Sequence, residues 1–584
     1  MIGHYKTFKK SAKPFAVSLL LSALVTGCAT YSAQQSPILD INLVGRAVLN
    51  HHGSPEGAAE IVQYHKASNR IYAINSSSDT PTVEILELAS LKPDTLIKNA
   101  QGVMTNTNLD VATTLNLSKH TLGDANSIAI SEPLNLLAVA MAAKAVGQHG
   151  YIAFYDISKS TPSFIKNVAV GYLPDMVAFS PNGNKVIVAN EGEPSGDYLT
   201  DPEGSISIID INNGVIANTA TALNFHHYDD KQAELEAQGV VFANPTGKTI
   251  KGTKINTTVS MDLEPEYVAV TADSKMAYVS LQENNAMAVV DLTNNRLVTI
   301  MGLGFKDWGK LNFDASDKDG GMHFQQYQHL YGMYQPDTIA SYRWHQQDYI
   351  VTANEGDGRE YFFDSENKQS CFSEGGVDYD EKNGCLSYSD EIRAKKLTLD
   401  PINFANIKNN NDDLGRLKVS AVKGDIDHDG DFDQLYTYGG RSFTIWDNNG
   451  QVVFDSGDEI ALVTAQIHGE AFNNDEDENK GDTRSDAKGA EPEALALGKI
   501  NDRTYAFIGL ERMSGIMVYD ITNPSKAHFV DYFYNRGTVE GEKVTGDLAP
   551  EGMAFIAATK ATPARLLVGN EISGSIAVWE ISIK

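Results

Sequence analysis

Short runs of Val, Ile, Ala and Tyr recur along this chain, broken by Gly, Asn, Asp and Pro, while helical periodicity is scarce. The clearest unit is "EPEALALGKINDRTYAFIGLERMSGIMVYDI", which returns as "APEGMAFIAATKATPARLLVGNEISGSIAVWEI". Glu493 and Glu511 lie 18 residues apart in the first, Glu551 and Glu571 lie 20 apart in the second, and Glu511 and Glu571 are separated by 60. Upstream copies are "EPEYVAVTADSKMAYVSLQENNAMAVVDL", with Glu266 and Gln282, a copy with Asp175 and Glu191, and one with Asp337 and Glu355. Weaker copies begin near Glu60 and Asn126, and a degenerate one ends in "QLYTYGGRSFTIWD". Each unit predicts three strands joined by turns, with a fourth in the variable stretch that follows. Seven copies and one degenerate copy predict an all-β chain, a β-propeller of seven blades (eight if the degenerate copy counts) with loop insertions. Stacked β-sandwiches, the alternative, would not need an acidic residue at the start of nearly every first strand.

In a propeller the first strand of each blade lines the central channel and the second runs back beside it. The start of one and the end of the other therefore share a face of the disc. Asp175, Glu191, Glu266, Asp337, Glu355, Glu493, Glu511, Glu551 and Glu571 are thus expected to converge at one mouth. Like charges so placed raise one another's pKa unless cations compensate. Taken singly, each carboxylate is as well explained as a turn cap, although Asn, Ser or Thr would serve a turn equally well.

Charge sharpens this picture. With 76 acidic and 47 basic residues among 584, the formal net charge is −29, which disfavours nucleic acid and anionic lipid as partners and favours divalent cations. The N-terminus reads as an export signal: Lys6, Lys9, Lys10 and Lys13, the apolar "FAVSLLLSALV", then "VTGC" ending at Cys28. Gly27-Cys28 resembles a bacterial lipobox, in which the Cys is lipidated. Ala29 in place of Asp favours the outer membrane, on its periplasmic or surface face, with the lipid as the only membrane contact; an ordinary secretory signal is the alternative. Residues 1–28 are then signal peptide and 29–584 one propeller domain, expected to be monomeric. Cys371 and Cys385 remain, and export makes one local disulfide their expected state.

"GDIDHDGDFDQLY" supplies Asp425, Asp427, Asp429, Asp431 and Asp433 around Gly430, the oxygen-donor spacing of a calcium loop without the final bidentate Glu of an EF-hand. Calcium is the expected ion, with another divalent metal possible at the channel mouth. Arg359, Arg441, Arg484, Lys488 and Arg512 stand beside the acidic motifs, either as ion-pair partners or as clamps for a phosphate ester. The chain contains no G-x-S-x-G, Walker or H-E-x-x-H motif, and His323, His329, His345 and His468 have no ligand spacing.

The segments "VANEGEP", "LEPEYVAV", "TANEGDGREY", "GGRSFTIWD", "RSDAKGAEPEALALG" and "VGNEISGSIAVWEI" together resemble the choice-of-anchor I family, exported proteins similar to animal mesenchyme-specific cell-surface glycoproteins. The likeness runs from about Ile41 to Lys584. It implies a propeller-like fold outside the cytoplasm with variable anchoring. Some members are called alkaline phosphatases, and the animal relatives are linked to calcium biomineralisation. Two functions follow as expectations. In a metal-dependent phosphoesterase, Glu266, Glu355, Glu493 and Glu551 would hold the metal and Arg359 and Arg441 would clamp phosphate, with Glu355, Arg359 and Arg441 as the catalytic set. In the alternative, a calcium-binding surface protein holds a ligand without turnover.

Overall fold

A computed structural model of the chain describes residues 36–50, 54–78, 80–121 and 123–584. The export signal and Cys28 lie outside them. Residues 38–584 form one compact unit. Among the described residues, no helix is long and apolar enough to cross a membrane.

Seven antiparallel sheets follow one another along the chain, each with four strands in meander order except the third, which carries a fifth. The first is Val62–His65, Arg70–Asn75, Thr82–Glu87 and Val111–Asn116. The inner strands of the next six begin at Asp124, Pro174, Val268, Ile339, Pro492 and Pro550. Each inner strand contacts the inner strand of the next sheet, and that of the seventh contacts that of the first. A ring of sheets around a central channel results.

The strand pattern has a direct physical cause. Second and third strands are covered on both faces, so they read as unbroken apolar runs; Leu136–Ala142 is buried throughout. Neighbouring sheets share apolar clusters. Ile187, Ile206 and Ile208 of the third meet Val279, Ala288 and Val290 of the fourth, and Tyr349, Val351 and Ile445 of the fifth meet Ala506, Ile508 and Met517 of the sixth. The tight turns between first and second strands place Asn69, Asn135 and Asn501 in the left-handed region (φ 54°, 51° and 53°), which Asn tolerates better than most residues.

The degenerate eighth copy does not form a sheet of its own. Leu435–Thr437 pairs in parallel with Leu330–Met333, while Ser442–Asp447 is the third strand of the fifth sheet, beside Gln347–Asn354. Residues 355–441 are therefore an insertion between the second and third strands of that sheet. It carries the Cys371–Cys385 disulfide, packed among Tyr198, Tyr361, Phe363 and Tyr388.

The seventh sheet is completed by the N-terminal strand Leu39–Val48, paired with Ser575–Ile583. Arg46 fastens this closure: its guanidinium donates to Asp547 (2.6 Å), to the Thr105 carbonyl (2.8 Å) and to the Gly546 carbonyl (3.0 Å). Both members of the Arg46–Asp547 pair are almost fully buried, so removing one leaves an uncompensated buried charge. Arg46→Ala should cost about 3–5 kcal/mol in urea unfolding. An unchanged midpoint would show that the closure does not depend on this pair.

Candidate functional site: the carboxylate mouth of the channel

The carboxylates reach the mouth through a repeated distortion of the backbone. In the third, sixth and seventh sheets the inner strand opens with Pro paired to the end of the second strand: Pro174 with Asn190, Pro492 with Leu510 and Pro550 with Asn570. Register resumes only at Val177, Leu495 and Met553. Asp175, Glu493 and Glu551 fall in the resulting bulges, which re-aim side chains out of the ladder. The residue before each of these prolines, and before Pro336, is left-handed: Leu173 (φ 45°), Gln335 (42°), Glu491 (54°) and Ala549 (59°). Such conformations cost about 1–3 kcal/mol each and concentrate at functional sites.

The repeated Asn-Glu pairs divide their work. Asn190 accepts from the Gly171 N–H (3.0 Å) and donates to Ser207 Oγ (3.0 Å). Asn354 donates to Ser442 Oγ (3.1 Å) and Thr444 Oγ1 (2.8 Å), and Asn570 donates to the Ser575 carbonyl (3.1 Å). The buried Asn ties the second strand to the third; the Glu after it is left for the mouth.

Three carboxylate trios each place one oxygen per residue within 4.8 Å of the others: Asp337–Glu493–Glu551, Glu355–Glu493–Glu511 and Glu191–Glu264–Glu283. Glu493 belongs to two of them. Two unit charges 4 Å apart repel by about 4 kcal/mol at an effective dielectric of about 20, so the trios cannot stay fully ionised without compensation. Burial raises the carboxyls of Glu493 and Glu551 well above their ordinary range, reinforced by each other's neighbourhood: Glu551 and Glu511 act on the first, Asp337 and Glu571 on the second. Asp337 is pushed up to about 8 by burial and Glu355, Asp175 to about 7 by burial and Glu193, and Glu60 to about 8 by burial, Glu571 and Asp175. Oxygens of Glu264, Glu266, Glu283 and Glu493 are buried without a hydrogen-bond donor.

One arc of the mouth is neutralised from within. Lys488 Nζ contacts Glu355 Oε1 (2.6 Å) and Glu491 Oε2 (3.1 Å). Glu491, wholly buried, also pairs with Arg484 (2.6 Å) and Arg512 (3.0 Å). Burial works against its charge, yet Lys488, Arg512 and Arg484 hold its carboxyl well below the usual range. Gln282 donates to Glu355 Oε2 (2.8 Å), so both Glu355 oxygens have partners.

Both arginines expected as ion-pair partners or phosphate clamps have partners within the protein. Arg359 is buried against Asp262 and Glu264 (2.9 Å to the latter) and donates to the Asp262 carbonyl (2.8 Å). Arg441 donates to the carbonyls of Asp314 (3.0 Å), Ser485 (2.8 Å) and Ala487 (2.7 Å) and lies 4.0 Å over the Phe313 ring. Neither guanidinium faces the mouth free of partners. Sequence reading passed over Glu264, Glu283 and Glu491. For Glu264 and Glu491 the signal is the tripeptide Glu-Pro-Glu, present at 264–266 and 491–493: in both, the first Glu is fully buried and ion-paired while the second lies at or just before the start of the channel strand.

The aspartate loop lies in the insertion. Asp425, Asp427 and Asp433 form one trio, and Asp400, Asp431 and Asp433 a second. Backbone N–H groups of Ile426 and Gly430 donate to Asp433 (2.8 Å) and Asp425 (3.2 Å), whereas the Asp429 carboxylate receives the Asp431 N–H (3.1 Å). Asp400 enters from a separate segment, held by the Asp400 N–H to Phe432 carbonyl bond (3.1 Å); no local spacing could reveal it.

A pH dependence follows. The carboxyls of Glu60, Asp175 and Asp337 have folded pKa values of about 7–8 against about 4 in the unfolded chain. Between those values the folded state binds more protons, so the stability they contribute is complete below about pH 4 and is lost as pH rises through 7–8. In chelator, the Tm should fall between about pH 5.5 and about pH 8.5, and calcium should abolish most of that fall by replacing protons with an ion. A flat profile in chelator would contradict the crowding.

The choice-of-anchor I domain model matches residues 60–524. The chain is 30% identical over 299 residues to a mesenchyme-specific cell surface glycoprotein of Strongylocentrotus purpuratus, covering 48% of this chain and 38% of that protein. It is 34% identical over 116 residues to Gigasin-3a of Magallana gigas, covering 19% and 40%. These matches span well under half the length of either relative. Among solved structures, the WD40 domain of Toxoplasma gondii coronin is 8% identical with a TM-score of 0.42, over 94% of this chain and 87% of that one. With its family model spanning most of the ring of sheets, the chain belongs to the choice-of-anchor I family.

Proposed function

We propose that this protein is an exported β-propeller that works at the cell surface and holds divalent cations, calcium first, in the carboxylate mouth of its channel. The observation that carries the reading is Glu493, common to two trios of mutually close carboxylates. One half-buried carboxylate between two donor sets suits a bridging ligand. The donors are all oxygen, the chemistry of calcium rather than of zinc or copper. Surface placement rests on the likeness to a cell surface glycoprotein of sea urchin, on the disulfide and on the leader ending at Cys28, where lipidation would anchor the chain to the outer membrane. The aspartate loop is a further calcium site with a stabilising role, using Asp425, Asp427, Asp431, Asp433 and Asp400.

A second reading, metal-dependent phosphoester hydrolysis, is favoured by the same shared Glu493, because paired cations can flank a phosphoryl group and activate water. Glu355, Glu493, Glu551 and Glu266 would be the surrounding carboxylates. Arg359 and Arg441 would act by fixing the walls, given their partners.

Isothermal titration separates the outcomes. Glu493→Gln should weaken calcium binding by about 10–100-fold or more while the chain stays folded. If affinity is unchanged, the mouth is not the site. Hydrolysis of a generic phosphomonoester that is lost in chelator, restored by calcium and absent in Glu493→Gln would establish the enzymatic reading; calcium binding without turnover would leave the binding protein. For the loop, Asp427→Ala with Asp431→Ala should remove part of the calcium-dependent stabilisation, read as a rise in Tm and reaching about 2.7 kcal/mol of free energy at 100-fold excess over Kd. The same rise in variant and wild type would exclude it.

A further inference from the structure

The mouth is not uniform. Around Glu355 and Glu491, Lys488, Arg484 and Arg512 supply positive charge. The Glu191–Glu264–Glu283 trio has one cation for three carboxylates: among the described residues no Lys or Arg forms an ion pair with Glu191 or Glu283, and Arg359 divides its guanidinium between Glu264 and Asp262. Glu264 is wholly buried: its Oε2 lies 2.9 Å from the Arg359 guanidinium while its Oε1 has no partner, and Glu283 Oε2 is buried and equally without one. Three carboxylate oxygens within 4.8 Å, with buried lone pairs unsatisfied, match the donor set of a hard cation.

We propose that Glu191, Glu264 and Glu283 form a separate divalent-cation site that joins the third and fourth sheets. Glu191 follows the second strand of the third sheet, Lys185–Asn190. Glu264 precedes the inner strand of the fourth and Glu283 follows its second strand, Met276–Leu281. Arg359, at the start of the fifth sheet's insertion, holds Glu264 from the other side. The ion would thus fix the chain around 192–204, which has no strand or helix, and seat the insertion against two other sheets. Its role is positional. It deepens the reading of the mouth as a cation site but stands on residues that the Glu493 trios do not share.

The test is the number of calcium ions retained by the folded full chain in native mass spectrometry, with calcium alone as the probe. Glu264→Gln and Glu283→Gln should each hold one ion fewer than wild type, and Glu493→Gln should keep that ion. Hydrogen exchange over 192–204 should slow on adding calcium to wild type but not to Glu283→Gln. If Glu264→Gln fails to fold, Glu283→Gln decides, because its side chain is only partly buried. An unchanged ion count and unchanged exchange in Glu283→Gln would overturn the proposal, whatever Glu493→Gln does. Loss of an ion in Glu283→Gln with none lost in Glu493→Gln would uphold it and remove the Glu493 reading instead.

Discussion

Closing seven sheets into a ring forces the starts of seven inner strands onto one small circle, and in this protein most of those starts carry a carboxylate. Their repulsion is the constraint on which the rest depends. It cannot be relieved by moving apart, because bulged prolines and left-handed residues fix the backbone that aims them. It must be met by protons, by internal cations or by metal ions. Protonation serves only while pH stays below the raised pKa values, about 8 for Asp337 and Glu60, and fails above them.

The internal answer is local. Lys488 is buried, which opposes its charge, yet Glu355 and Glu491 carry its ammonium pKa well above the ordinary value. With Arg484 and Arg512 it converts one arc into an ion-pair network, and Gln282 closes the remaining oxygen of Glu355. Buried pairs of this kind are weak contributors to net stability but costly to break. The arc borders carboxylates that form no ion pair with Lys or Arg among the described residues: Asp337, Glu493 and Glu551 on one side, Glu191 and Glu283 on the other.

The ring was legible in the sequence because each repeat obeys the same physics. A strand buried on both faces must be apolar throughout, a tight turn wants Asn or Gly, and the proline before Asp175, Glu493 and Glu551 marks a bulge. Convergence of Asp175, Glu493 and Glu551 follows from topology alone. What escaped was long-range. Arg359 stands at the head of an insertion and reaches Asp262, 97 residues earlier; its pattern "NEGDGREY" looks like any acidic loop with an arginine. Arg441 stands beside an acidic motif in sequence, yet its two terminal nitrogens donate to carbonyls from two distant segments. The apparent eighth repeat ending in "FTIWD" misled for a related reason. An insertion had separated the second and third strands of the fifth sheet, leaving the third with no partner in sequence.

The central claim is that cations, not protons, neutralise the open arcs at neutral pH. Anomalous diffraction from crystals grown near neutral pH with manganese in place of calcium tests it most directly. The account predicts anomalous peaks in coordination contact with Glu493 and with Glu264. Clear density without such peaks, with neighbouring carboxyls instead paired through shared protons, would contradict it.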